Sequence, residues 1–155
     1  MSDKGIADLS FDRYARMVRR TLGVPVALVS VVEEHRQVFP GAEGLPDPYQ
    51  ESRETPLSHS FCQYVVEDDR PLVITDARVD ARLHDNLAIP DLGVIAYAGW
   101  PLVDPDGRTI GSLCAIDSEP HPWTKSELDA LADLAAACSA ELAQRVLGQR
   151  ARDQA

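Results

Sequence analysis

The chain has 155 residues, 45% of them hydrophobic, which fits one folded domain with a substantial core. Its 25 acidic residues outnumber 15 basic ones for a net charge of −10, which argues against nucleic acid or an anionic membrane surface as a partner. Three well-separated cysteines, Cys62, Cys114 and Cys138, make no disulfide framework, no apolar run reaches the roughly 18 residues of a membrane span, and Asp3 and Asp8 interrupt any signal peptide, so a reducing cytoplasm is the expected compartment.

The spacing of Ile6, Leu9, Tyr14, Met17, Val18 and Leu22 predicts an amphipathic helix over 6–22, or a shorter one capped by Ser10, stopped by Gly23 and Pro25. Residues 26–33 are rich in β-branched side chains and read as a strand. A polar turn leads to a short second strand over 36–39. Residues 40–56 hold Gly41, Gly44, Pro46, Pro48 and Pro56 and read as a long loop, of the kind that forms a functional lid or stays mobile. Ser58 is placed as the N-cap of a helix with Phe61, Cys62 and Val65 facing inward, ended by Asp68-Asp69-Arg70-Pro71. A third strand takes 72–75. The polar stretch after it holds short helical segments at 81–86 and 90–92.

Residues 94–117 form the stretch around which the rest is organised. Two apolar arms, 94–103 and 109–117, flank Asp104-Pro105-Asp106-Gly107, whose Pro, Asp and Gly suit a type I hairpin turn. Neither arm has a polar face, so both are expected to be covered on both sides. Thr124 and Glu127 then form a capping box that opens a long helix to about Gly148. Leu128, Leu131, Ala135, Cys138 and Leu142, widened by Leu134, make a seam-like stripe along it. The domain core is expected over 10–147, with 1–5 and 149–155 frayed. Five strands and three main helices give an α+β domain, with an antiparallel sheet and the terminal helices on one face.

The hairpin Y-A-G-W-P-L-V-D-P-D-G-R-T-I-G-S-L-C-A-I-D, followed by P-H-P-W-T-K-S-E-L-D-A-L-A-D-L-A, resembles the end of a GAF domain of the bacterial group attached to signalling enzymes. The segments S-H-S-F-C-Q-Y-V-V-E-D-D-R-P-L-V-I-T-D-A and V-A-L-V-S-V-V fit the same family, so the resemblance covers about residues 10 to 145. It implies a PAS-like antiparallel sheet of six strands, the sixth lying in 40–56 or being short, with the terminal helices on one face and a helix plus loops on the other. It also implies a cytoplasmic, non-enzymatic sensor of a small molecule, homodimeric through its terminal helices. The output partner would be a histidine kinase, a phosphatase or another signalling protein. No such output domain is visible in the sequence, which fits a stand-alone protein or an excised module.

The family's ligand cavity maps best onto Ser58, Phe61, Cys62, Tyr97, Trp100 and Cys114. Each of these has a plain alternative as a core or capping residue. Tyr97 and Trp100 have opposite parity on one strand, so only one of them lines a given pocket. Some GAF domains hold a bilin through a cysteine commonly followed by His. Here Gln63 follows Cys62, and His59 lies three residues before it, against that chemistry. No cofactor is identified. His84 is the candidate for haem ligation, and the four histidines show no zinc spacing. Asp76, Asp80, Asp85 and Asp91 lack the Gly-centred spacing of a calcium loop and read as turn caps. Two alternative functions stay open. One is a dimerisation or protein-interaction module whose cavity is filled by Tyr97 and Trp100. The other is a thiol enzyme resembling free methionine sulfoxide reductases, using Cys62 and Cys114.

Overall fold

The computed structural model describes residues 9–154, and Ile6 lies outside them. Among the described residues one six-stranded sheet runs in the order β3-β2-β1-β6-β5-β4, every neighbouring pair antiparallel. β1 (Val26–Val32) and β6 (Thr109–Asp117) are central, flanked by β2 (Arg36–Glu43) and β5 (Ala96–Val103). The edges are β3 (Glu54–Pro56) and β4 (Leu72–Ile74). Because side chains alternate along a strand, each central strand feeds two cores. Ala27, Val29, Leu113, Ala115, Ala98 and Leu102 face one side, against the terminal helices. Leu28, Cys114, Ile116 and Tyr97 face the other.

The terminal helices α1 (Leu9–Leu22) and α5 (Lys125–Gln154) pack together on the first face. Phe11, Tyr14, Ala15, Val18 and Leu22 bury one stripe of α1, and Gly23 ends that helix in a left-handed turn. The capping box of α5 forms as expected. The Thr124 Oγ1 accepts from the Glu127 N–H at 3.1 Å, and the Glu127 carboxylate accepts from the Thr124 N–H at 2.8 Å. The stripe Leu131, Ala135, Cys138, Leu142 is buried, but within the chain's own core, against the sheet and α1. The helix continues to Gln154, past its expected end at Gly148.

The hairpin turn also forms as expected: the Gly107 N–H donates to the Asp104 carbonyl at 3.0 Å, with Gly107 at φ +81°. The other face carries α3 (Cys62–Asp68), α4 (Ala88–Leu92) and the 3₁₀ turns Leu57–His59 and Ala77–Val79.

Residues 40–56 are not a loop. β2 runs on through Pro40 to Glu43, and Pro40 is tolerated because the β1–β2 register shifts beside it, between Val29 and Val31. α2 (Tyr49–Ser52) and the edge strand β3 follow, leaving 44–48 and 53 as the irregular links, so the implied sixth strand lies here. Asp12 on α1 holds this segment down, pairing with both Arg53 terminal nitrogens at 2.8 and 3.2 Å and accepting from the Ala42 N–H at 3.0 Å. Gln50 bridges the same stretch, donating to the Ala42 carbonyl and accepting from the Leu45 N–H.

Candidate functional site

The side of the sheet away from the terminal helices encloses a cavity between β1, β5, β6, α3 and α4. Its walls are Val26, Leu28, Leu45, Phe61, Cys62, Ala88, Leu92, Val94, Tyr97 and Ile116, with Gln37 and His59 as polar members. It is small, about 20 Å³, which is room for one water-sized molecule. Phe61 and Tyr97 take up the space, their ring centroids 5.4 Å apart and tilted.

The structure brings together four of the six residues singled out from the sequence. Phe61, Cys62 and Tyr97 line the cavity, and Cys114 packs in the same cluster. Trp100 points to the opposite face, as strand parity requires, and lies beside α5. Ser58 is exposed, and it is not the cap of α3. That helix starts three residues later than its sequence suggests, and Ser60 serves its first turn, accepting from the Gln63 N–H at 3.1 Å. Ser58 instead bonds His59 Nδ1 at 2.9 Å, while His59 Nε2 meets the Asp91 carboxylate at 2.7 Å. This bridge ties the 3₁₀ turn Leu57–His59 to α4 at the cavity rim.

Sequence reasoning missed the polar spine behind the cavity. Gln37 on β2 accepts from the Ser60 hydroxyl at 2.7 Å and the Ser30 hydroxyl at 3.2 Å, and donates to Thr55 Oγ1 at 2.9 Å. The signal was present in Ser30, the lone hydroxyl of the otherwise apolar β1.

The Cys62 thiol lies 3.1 Å from the Tyr97 hydroxyl, which lies 3.0 Å from Ser112 Oγ. Tyr97 reaches both by lying along its own strand above Gly99, where any Cβ would collide with the ring. The thiol of Cys114 is the largest influence on Cys62. It outweighs the cost of burial and, with hydrogen bonds from Tyr97, Ser30 and Ser112, lowers the Cys62 pKa to about 7. Burial, with Cys62 beside it, pushes Cys114 well above an ordinary thiol, and burial likewise raises Tyr97. Of the three groups only Cys62, the sulfur that faces the cavity, is shifted toward ionisation. Cys138, on the terminal-helix side, is pushed up to about 12 by burial and by Glu141. The site can hold a very small molecule against apolar walls and present it with one activated thiol.

The family model for the GAF domain matches residues 8–142. A cyclic di-GMP phosphodiesterase of Pseudomonas aeruginosa is 34% identical over 116 residues, 74% of this chain but only 19% of that protein. The chain thus spans about a fifth of the length of this curated relative. A domain assigned to a two-component sensor histidine kinase of Sinorhizobium meliloti has the same fold, with a TM-score of 0.70 and 20% identity, covering 93% of this chain and 95% of that one. So does a type II free methionine-R-sulfoxide reductase of Thermoplasma acidophilum, with a TM-score of 0.70 and 12% identity, over 92% of this chain and 96% of that one. With the sheet order, the two-sided packing and the near-complete family match together, the chain belongs to the GAF domain family.

Proposed function

We propose that this chain is a regulatory, non-enzymatic sensor module whose input site is the Phe61–Cys62–Tyr97 cavity and whose output elements are α1 and α5. One observation carries the reading: β1, β5 and β6 present the cavity on one face and seat both terminal helices on the other. A change at Tyr97 or Cys114 is thereby one strand thickness from Ala98, Leu113 and Ala115, on which α5 rests. A molecule that binds two arrangements of these strands unequally shifts the helices in proportion to that difference. The phosphodiesterase relative, of which this chain matches a minor part, supports an output domain of that kind, and the sensor-kinase neighbour supports a kinase. Because the buried stripe of α5 is spent on the chain's own core, homodimerisation would use Ala132, Ala136, Ala140 and Ala143 beside Trp100 and Pro101. No described helix is long and apolar enough to cross a membrane, and three free cysteines fit a cytoplasmic setting.

Native mass spectrometry of the purified chain, set against its denatured mass, tests the reading. The expected result is a small bound mass that vanishes on denaturation and is absent from Ala88→Phe, which fills the cavity. A bare dimer whose melting temperature responds to no small metabolite, in wild type or variant, would overturn sensing. The small cavity volume favours the second reading, a dimerisation module with a filled cavity, though Phe61 joins Tyr97 in filling it and Trp100, on the other face, does not.

A further inference from the structure

On the face of the sheet under α3, Tyr97 and Ser112 chain their hydroxyls to Cys62, with Ser30 and Cys114 alongside. None of these five residues is more than 2% exposed. Apolar residues would fill the same positions without the cost of drying three hydroxyls. Ser30 donates to Gln37; what the Tyr97 and Ser112 hydroxyls add is the ability to hold negative charge on one sulfur. The two thiols are also unequal in place: Cys62 lines the cavity, and Cys114 lies behind it on β6.

We infer that Cys62 and Cys114 form an oxidation site in which hydrogen peroxide enters the cavity and oxidises Cys62 to a sulfenic acid, which Cys114 resolves into an intramolecular disulfide. The inference rests on the reading of this cavity as the input site. In the first step the Cys62 sulfur attacks one peroxide oxygen. The S–O bond forms, the O–O bond breaks, and the departing oxygen takes up the proton shed by Cys62 to leave as water. In the second, the Cys114 sulfur attacks the sulfenic acid. The S–S bond forms, the S–O bond breaks, and hydroxide leaves with the Cys114 proton as a second water. Two thiols lose two electrons and two protons, and the peroxide gains them. Tyr97, backed by Ser112, donates to the attacking sulfur throughout. Lowering of the Cys62 pKa agrees with this division of labour. A space of about 20 Å³, room for one water-sized molecule, restricts the oxidant to the smallest peroxide and excludes an amino-acid sulfoxide. Cys138, on the other face, is an internal control.

The test treats the full chain with hydrogen peroxide and reads intact mass and cysteine-bearing peptides. The expected result is a loss of about 2 Da, reversed by dithiothreitol, with Cys62 linked to Cys114 and Cys138 still open to alkylation. Cys114→Ser should accumulate a sulfenic acid at Cys62, trapped by dimedone. Tyr97→Phe, which keeps both thiols, should slow the first step about five- to tenfold. No mass change, oxidation falling on Cys138, or a link between two chains would overturn the site. Hydrogen exchange of α5 separates the two readings. A disulfide that forms without altering α5 overturns the input reading alone. An α5 that answers a non-covalent ligand while no disulfide forms overturns the oxidation site alone.

Discussion

Gly99 lies directly beneath the ring of Tyr97, two residues away on the same strand, and the ring occupies the volume that any side chain at Gly99 would need. The hydroxyl reaches Cys62 and Ser112 only because of this. Gly99→Ala should cost about 1–3 kcal/mol in urea denaturation, the usual cost of overpacking a dense interior. Its cost should shrink in a Tyr97→Ala background, where of the two collision partners only Ser112 Oγ, 2.6 Å from the added Cβ, remains. Additive costs would show that Ser112, and not Tyr97, is what requires a glycine here.

His121 carries a pH-dependent part of the stability. Its ring bridges Asp117 at 3.1 Å and Glu127 at 3.0 Å, and stacks on Trp123 with centroids 3.9 Å apart. Burial pulls its pKa down, but the two carboxylates prevail, and the folded value lies above 6.5. Its contribution is therefore complete below 6.5 and drains away as pH rises through the folded value. For Glu127 burial raises the pKa, but the Thr124 N–H and His121 outweigh it, so its contribution is present above 4.5 and is lost as pH falls. Melting temperature should decline as pH climbs from 6.5, and His121→Gln should flatten that decline. An unchanged slope in the variant would remove His121 from the account.

Thr124→Ala should behave differently. It removes the side-chain acceptor of the capping box, costing about 1 kcal/mol, and it should do so equally across neutral and alkaline pH. A loss confined to one end of the pH range would mean that the cap acts through His121 instead.

The Asp12–Arg53 pair joins α1 to the segment before β3, with both side chains less than a third exposed. Asp12→Ala strands the Ala42 N–H as well as the guanidinium, and should cost about 2 kcal/mol. Arg53→Ala should then cost much less in that background than alone. Limited proteolysis gives a second readout, since cleavage within 44–53 should speed up in Asp12→Ala. Full additivity in the denaturation series would mean that the two residues act separately.

Local chemistry was readable wherever it was self-contained. The hairpin turn needs only Asp104, Pro105 and Gly107, and the α5 start only Thr124 and Glu127, so both were placed from sequence. The opposite facing of Tyr97 and Trp100 followed from parity alone. What failed depends on partners distant in sequence. Pro40 looks like a strand-breaker until the register shift opposite it in β1 is known. Residues 40–56 look mobile until Asp12, 41 positions from Arg53, is seen to hold them. Ser58 and Ser60 are equally good caps by composition, and tertiary contacts with Gln37 choose Ser60. Within the site the cysteines stood out by type, whereas Gln37, Ala88 and Leu92 became visible only as walls of a cavity.

The placement of the chain's two tryptophans has an optical consequence. Trp123 stacks on His121 and donates to the Ile74 carbonyl, and Trp100 borders α5, so both sit among the elements on the terminal-helix side of the sheet. The cavity side contains tyrosine and phenylalanine instead. Intrinsic tryptophan emission therefore watches the helices without directly seeing what enters the cavity. A change in that emission when the cavity or Cys62 is perturbed is a label-free record of a signal that has already crossed the sheet.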